Sequence, residues 1–315
     1  MDVTEVISEF GAYFIASGQG PNDITKVMNF KSETDELFTR IETEDTVIRR
    51  GSSLMTRVLQ PFQKGWTPTG ALTFKPHAVT LYPMKVDVEE YPDELVATWL
   101  GFLASENVNR TEWPFVRWWL QQVVDQEIED YEREEVFAGE YDAPTDGTAG
   151  AAGTAMEGIR KLINDGVTAT TITPIATGAP NADNEVFVGQ VETFIDSIDE
   201  RYRNRPMTLA MSTANAVKFK RGMRKKYNMS YDQISDTLTV ADYDNITVKG
   251  YASFKNSNKM FCTPIQNAIC GVKWDSKTPG IEGEDRKVKM WYDYHKGIGF
   301  ILHELVFTND QDLAV

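Results

Sequence analysis

Apolar residues recur along this chain with two different periods, and the change of period divides it into elements. Over 113–142 (WPFVRWWLQQVVDQEIEDYEREEVFAGEYD), Val116, Trp119, Leu120, Val123, Ile128 and Tyr131 return at three- and four-residue steps, marking one apolar face of a helix. Pro114 suits a first helical turn, where a missing N–H costs nothing. No Gly or Pro interrupts until Gly139, which fits the position just past a helix end. About 24 residues at 1.5 Å each give a rod of roughly 36 Å. Its first half is aromatic and its second half acidic, which suits a structural spine better than an active site.

Other stretches are read the same way. Residues 3–16 carry a helical stripe at positions 3, 6, 7, 10, 13 and 14, and 21–44 is a polar arm with isolated anchors at Ile24, Val27, Phe30, Leu37 and Phe38. Residues 45–82 have β-type composition around a tip, QKGWTPTG, and predict a long hairpin with strands near 46–60 and 71–82. The hairpin lacks a rich apolar face, and a hairpin alone is marginal in water, so it is expected to lie on a neighbour in cis or in trans. Residues 83–91 alternate strictly, Met84, Val86 and Val88 against Lys85, Asp87 and Glu89, as a half-buried strand does.

A helix over 92–104 precedes the spine, and a Gly/Ala-rich hinge follows it. Helices are expected at 154–165, ended by Gly166, and at 185–203. A buried strand is expected at 207–211, then a helix capped by Ser212 or Thr213. From 237 onward the chain is strand-rich. Its last strands, 286–295 and 297–307, are expected to form a pair joined near Lys296 and Gly297. Strands and helices mixed in this order imply an α+β protein.

Composition narrows the function. Hydrophobic content of 41% and charged content of 25% are those of a folded protein. No apolar run reaches membrane-spanning length, and the acidic start MDVTEVISEF does not suit a signal peptide, so a cytoplasmic origin is expected. Cys262 and Cys270 stand without a CxxC partner, and His77, His295 and His303 are scattered, so both cysteines read as small core residues and no metal site is expected. No phosphate-binding glycine motif is present, and no nucleophile has a base and an orienting acid; neither enzyme activity nor a cofactor is expected.

The net charge of −15 opposes tight binding to nucleic acid. It is unevenly spread. Residues 125–142 hold nine acids and one Arg, and 201–226 hold nine Lys/Arg and no acid. The acidic run reads as a solvated or partner-facing helix side rather than carboxylate chemistry. The basic run allows nucleic-acid binding, but it lacks interleaved aromatics, and a complementary protein interface is at least as good a reading. Lys64, at the hairpin tip, reads as an exposed loop lysine rather than a reactive amine.

The order of arm, extended hairpin, alternating strand, short helix, acidic spine, glycine hinge, mixed unit and late strands resembles the major capsid proteins of tailed bacteriophages, the Hong Kong 97-like fold. The stretches carrying it most strongly are FKPHAVTLYPMKVDVEEYPDEL, the spine itself and GTAMEGIRKLI, within 74–163, with RPMTLAMSTANAVKFKRGMRK and the strands of 246–274 following in order. The resemblance implies an N-terminal arm (1–44), an extended loop (45–82), a peripheral domain (83–149 and 284–310), an axial domain (150–283) and a C-terminal tail (311–315). It implies self-assembly as hexamers and pentamers into an icosahedral shell around double-stranded DNA, in a virion built in the host bacterial cytoplasm. The DNA would be touched only weakly, and no membrane is involved. The implied partners are other copies, a separate scaffolding protein, a portal and an optional decoration protein. Expected inter-subunit contacts are Lys64 and Trp66 on the hairpin, Glu127, Glu132 and Glu134 on the acidic run, and Arg221, Arg224 and Lys225 on the basic run. Some relatives join Lys to Asn between subunits; Lys64 lies in the corresponding element, but no matching Asn and Glu can be placed, and no such bond is expected. An encapsulin-like compartment shell is the alternative with the same fold; a nucleic-acid-binding protein using 201–226 is the other.

Overall fold

A computed structural model of the chain describes residue 6 and residues 32–105, 115–228, 238–274 and 279–313. After a 3-10 turn at Thr34–Leu37 come strands β1 (Thr39–Glu42), β2 (Val47–Met55), β3 (Leu72–Thr80) and β4 (Tyr82–Glu90), then helices α1 (Pro92–Ser105) and α2 (Phe115–Asp130). Helices α3 (Ile159–Thr168), α4 (Asn184–Asp196) and α5 (Glu200–Arg203), strand β5 (Met207–Ser212) and helix α6 (Thr213–Lys226) follow. The rest is mainly strand: β6 (Thr239–Val240), β7 (Tyr243–Tyr251), β8 (Phe261–Pro264), β9 (Ala268–Trp274), β10 (Gly280–Glu284), β11 (Lys287–Phe300) and β12 (Phe307–Thr308).

The first sheet is organised on β11. Strand β4 runs antiparallel along one edge of it, from Val288 opposite Glu90 to Lys296 opposite Tyr82. Along the other edge β10 takes the first part and β9 the second, with β1 parallel to β9 outside. Even-numbered residues of β11 point inward, so Val288, Met290, Tyr292 and Tyr294 meet Phe115, Trp118, Trp119, Leu120 and Val124 of α2 in one apolar cluster. The alternation expected for β4 is present. Of the helix expected at 3–16, Val6 alone lies within the described residues, and it is buried in this cluster.

The second sheet has the order β12-β8-β5-β7-β6. Strand β5, the expected MTLAM strand, is central, parallel to β7 and antiparallel to β8. Helices α4 and α6 cover it through Phe187, Val191, Phe194, Ile195 and Phe219. Ser212 caps α6, its hydroxyl accepting from the Asn215 N–H at 3.4 Å. A third cluster joins the sheets: Val136, Phe137, Met156 and Ile159 pack with Tyr251, Phe254 and Phe261 and with Ile298 and Phe300 of β11.

Three expectations change. The last two strands are one strand, β11; Gly297 is no turn but a flat spot, where a Cβ would stand 2.2 Å from the Thr80 carbonyl oxygen. The helix at 185–203 is two helices, because Asp199 starts a new one by accepting from the Arg201 N–H at 2.9 Å. Helix α3 begins later than expected and runs through Gly166, whose missing side chain makes room for Ile172. Strand pairing runs across residue 283: β9 and β10 are laddered to β11 beside β4, and β12 pairs with β8.

The spine departs from a plain α-helix. Trp113 and Pro114 lie outside the described residues. After Asp130 the helix widens into a π-helical turn, Tyr131–Glu135, in which the Val136 N–H donates to the Tyr131 carbonyl at 3.0 Å. The five-residue step brings both Tyr131 and Val136 to the buried side, which a step of 3.6 would not. Gly139 ends the spine, but not in the left-handed conformation of a helix-ending glycine. A Cβ there would stand 2.5 Å from the Glu135 oxygen and 2.6 Å from the Met156 oxygen.

Candidate assembly surface

The hairpin is rooted in the body and unsupported at its far end. At the root, Ile48 of β2, Val79 of β3 and Leu81 are buried with Ile269 of β9. Gly271 of β9 and Gly297 and Gly299 of β11 present no side chain to them, so the root lies directly on sheet backbone. From there β2 and β3 ladder in register from Val47 opposite Thr80 to Met55 opposite Leu72. One further rung, Thr56 N–H to the Ala71 carbonyl at 3.1 Å, closes the ladder. The loop beyond is braced from within: the Gln60 side-chain amide donates to the Thr67 carbonyl at 2.7 Å. Gly70, at φ +103°, turns the chain back into β3.

Apolar side chains at this end are left in water. Leu59 is 81% exposed, Phe62 93% and Trp66 92%, and Met55, Val58 and Leu72 are largely exposed too. Covering a side chain of this kind is worth about 1.5–3 kcal/mol, so several exposed together on one projection form a strong association surface. Residues 56–71 carry Arg57 and Lys64 and no acid, so the tip is cationic in an acidic chain. Lys64 and Trp66 are both exposed.

The acidic run is largely spent inside the chain. Leu120, Val124, Glu127 and Tyr131 follow one another on the buried side of the spine, and Glu127 accepts hydrogen bonds from the hydroxyls of Tyr292 and Tyr294. Burial pushes the Glu127 carboxyl above its usual range, against the pull of the two tyrosine hydrogen bonds. Glu132 accepts from both the N–H and the hydroxyl of buried Thr34. Glu134 pairs with Lys255 at 2.8 Å. Glu135 accepts from the N–H groups of Gly153 and Ala155 at 2.8 and 3.0 Å, pinning the hinge to the spine. The expectation of outward contacts at Glu127 and Glu132 therefore meets side chains already engaged within one chain.

Much of the basic run is likewise matched locally. Lys225 stands 3.0 Å from Glu185, Lys226 pairs with Glu192, Arg201 with Asp199 at 2.7 Å, and Lys218 lies over the Phe187 ring. Arg221 is exposed on α6, while Arg224 is half-buried. Neighbouring elements thus engage part of each run, Glu134 with Lys255 and Lys225 with Glu185 among them.

Sequence reading missed a polar group in the interior. Lys296 reaches Asp35 at 3.2 Å and lies over the Tyr131 ring, whose hydroxyl donates to Asp35 at 3.1 Å. The signal was strand parity, because Lys296 continues the inward series 288, 290, 292, 294. Cys262 and Cys270 are both buried and free, as expected. Among the described residues no group of His, Cys, Asp and Glu is placed to hold a metal, and no helix is long and apolar enough to cross a membrane.

No protein-family model matches the sequence, and no curated protein does. Solved structures do match in fold. A chain of the satellite phage P4 procapsid, which includes the size determination (Sid) protein, superposes with a TM-score of 0.59 over 97% of this chain and 96% of its own, at 10% identity. The capsid of Myoviridae phage XM1 gives 0.49 over 84% and 85% at 11% identity. A virus-like particle from Pyrococcus furiosus gives 0.47 over 91% and 96% at 10%. The last two are too distant to carry weight; the first spans nearly the whole of both chains. The chain shares its fold with that phage procapsid chain.

Proposed function

We propose that copies of this chain tile a closed icosahedral shell, as hexamers and pentamers, around double-stranded DNA. On this reading the N-terminal segment is an arm, β2 and β3 are the extended loop of a Hong Kong 97-like subunit, and the sheet with α2 and the sheet with α4 and α6 are its peripheral and axial parts. The observation that carries the reading is the hairpin: its root is seated on glycine-smoothed sheet, and its aromatic tip is bare in the single chain. A monomer gains nothing from Phe62 and Trp66 in water, whereas a lattice of copies buries them. Lys64, Trp66 and Arg221 are the proposed contacts between copies; Glu134, Arg224 and Lys225 join them only where their neighbours within the chain leave an edge free. The acidity supports a shell that does not grip its DNA. A separate scaffolding protein and a portal are the partners this reading calls for.

Negative-stain electron microscopy of the purified chain, alone and co-expressed with the proteins encoded beside it, tests the proposal. Closed shells or capsomer rings are the expected result. Only monomers under all these conditions would reject it.

A further inference from the structure

The dipeptide Asp-Gly occurs twice in this chain, at 146–147 and at 165–166. Its backbone is prone to rearrange in water, because glycine puts no side chain in the way as its nitrogen approaches the preceding carboxyl group. The two copies are chemically alike, and the fold treats them differently.

Asp165 and Gly166 lie within α3. There the glycine N–H is held in the helical ladder. Gly166 is buried, and a Cβ on it would stand 2.5 Å from Ile172. Its carbonyl accepts from the N–H groups of Thr171 and Ile172 at 2.9 and 3.0 Å. The Asp165 carboxylate is taken by Lys161 at 2.7 Å. Turning the Gly166 nitrogen toward that carboxyl would break the ladder.

Asp146 and Gly147 are the central residues of a turn closed by the Thr148 N–H donating to the Thr145 carbonyl at 3.1 Å. Gly147 has φ +77°, as the third residue of a type II turn does. A Cβ built on it meets nothing within 4 Å, and residues 142–152 are all exposed. Among the described residues, neither the Gly147 N–H nor the Asp146 carboxylate has a hydrogen-bond partner. The neck of the loop is fixed, with the Glu140 N–H on the Gly153 carbonyl at 2.8 Å and the Asp142 N–H on the Thr154 carbonyl at 3.1 Å. The turn can therefore change shape without pulling on the spine.

We propose that Asp146–Gly147 is a site of spontaneous backbone isomerisation and that Asp165–Gly166 is protected from it. The Gly147 nitrogen attacks the side-chain carboxyl carbon of Asp146. A C–N bond forms and a C–O bond breaks, and the N–H proton leaves with the carboxyl OH as water. The product is a cyclic succinimide, which water opens at either carbonyl. One opening restores aspartate. The other routes the chain through the former side-chain carbonyl, making the backbone one methylene longer and leaving the carboxylate on the main-chain carbon. Mass and charge end unchanged, and no oxidant or cofactor is needed. On the shell reading an assembled subunit is not replaced, so the loop between the spine and α3 records the age of a particle. The site itself does not depend on that reading.

Incubating the folded full chain at mildly acidic pH, in water enriched in heavy oxygen, tests this. Each ring opening installs one solvent oxygen, and electron-transfer fragmentation distinguishes the isomer from aspartate. The two dipeptides fall in different tryptic peptides, 134–160 and 162–201. Label and isomer at 146 should exceed those at 165 by about tenfold, the factor that one lost helical hydrogen bond puts on the barrier. In urea, where α3 is unfolded, the two sites should converge. Asp146→Glu and Gly147→Val should each bring the label at 146 to background, with folding checked by circular dichroism. Equal labelling of the two sites in the folded chain, or 165 ahead of 146, overturns the proposal. So does a gap that persists unchanged in urea, or a site at 146 that reacts in urea and not in the folded chain.

Discussion

Lys296 stands 3.2 Å from Asp35 with both side chains almost wholly out of water, 5% and 9% exposed. The ammonium also lies 3.4 Å from the centroid of the Tyr131 ring, and that tyrosine donates to Asp35. Three distant stretches of sequence thus meet at one ion pair: the segment before β1, the spine and the last long strand. Desolvating both charges is expensive, and the pair is tolerated because each partner has further contacts. Lys296→Met should therefore cost about 3–5 kcal/mol, since it strands a buried carboxylate. Adding Asp35→Leu should return most of that loss. Urea denaturation of the two single variants and the double variant measures the coupling, and additive losses would show that the two side chains act independently.

Gly139 and Gly158 hold two backbones in contact, the Gly158 N–H donating to the Gly139 carbonyl at 2.9 Å. A Cβ at Gly158 would stand 2.7 Å from the Phe137 oxygen. Alanine at either position must push the end of the spine away from α3, which overpacking data put at about 1–3 kcal/mol. Thermal unfolding of Gly139→Ala and Gly158→Ala should show clear losses, whereas Gly189→Ala, where nothing crowds a Cβ, should show none.

The ring of His77, on β3, lies 5.3 Å from that of His303, on the loop that follows β11. Burial first, and then the charge of His77, hold the His303 imidazole below its ordinary range. The folded state therefore favours the neutral ring more than the unfolded chain does. Its contribution to stability is complete above the unfolded value, about 6.5, and is lost as pH falls through the folded value. Thermal unfolding should shift downward on acidification from about pH 7 to about pH 5, and His303→Gln should flatten part of that slope. An unchanged slope would place the effect elsewhere.

Trp66 should matter to assembly and not to the fold. Trp66→Ala removes a side chain that is 92% exposed, so the stability of the single chain should stay within about 0.5 kcal/mol of the parent. Sedimentation velocity should nonetheless show loss of large species. A destabilised monomer would mean that the tip packs against its own chain.

Local signals carried much of this fold. The alternation of Met84, Val86 and Val88, the turn-rich tip between two β-type runs and the capping hydroxyl of Ser212 each act over a few residues, so each was readable in sequence. What escaped depends on direction and distance. The charge count at 125–142 says nothing of which carboxylates turn inward, and Glu127 is spent on two tyrosines some 165 positions away. The π-helical turn changes the step of the spine after Tyr131, which a fixed period of 3.6 cannot register. Lys296 beside Gly297 has the composition of a turn, yet it continues a strand because Thr80 needs the space that a side chain at 297 would fill.

Hydrogen–deuterium exchange across 47–80, compared between the dissociated chain and the assembled particle, tests the central claim most directly. The account predicts slow exchange at the root near Ile48 and Val79 in both states. It predicts fast exchange over 56–71 in the single chain, where the tip's apolar side chains stand exposed among the described residues, and strong protection there after assembly. A tip already protected in the single chain, or one that stays unprotected in the particle, would contradict it.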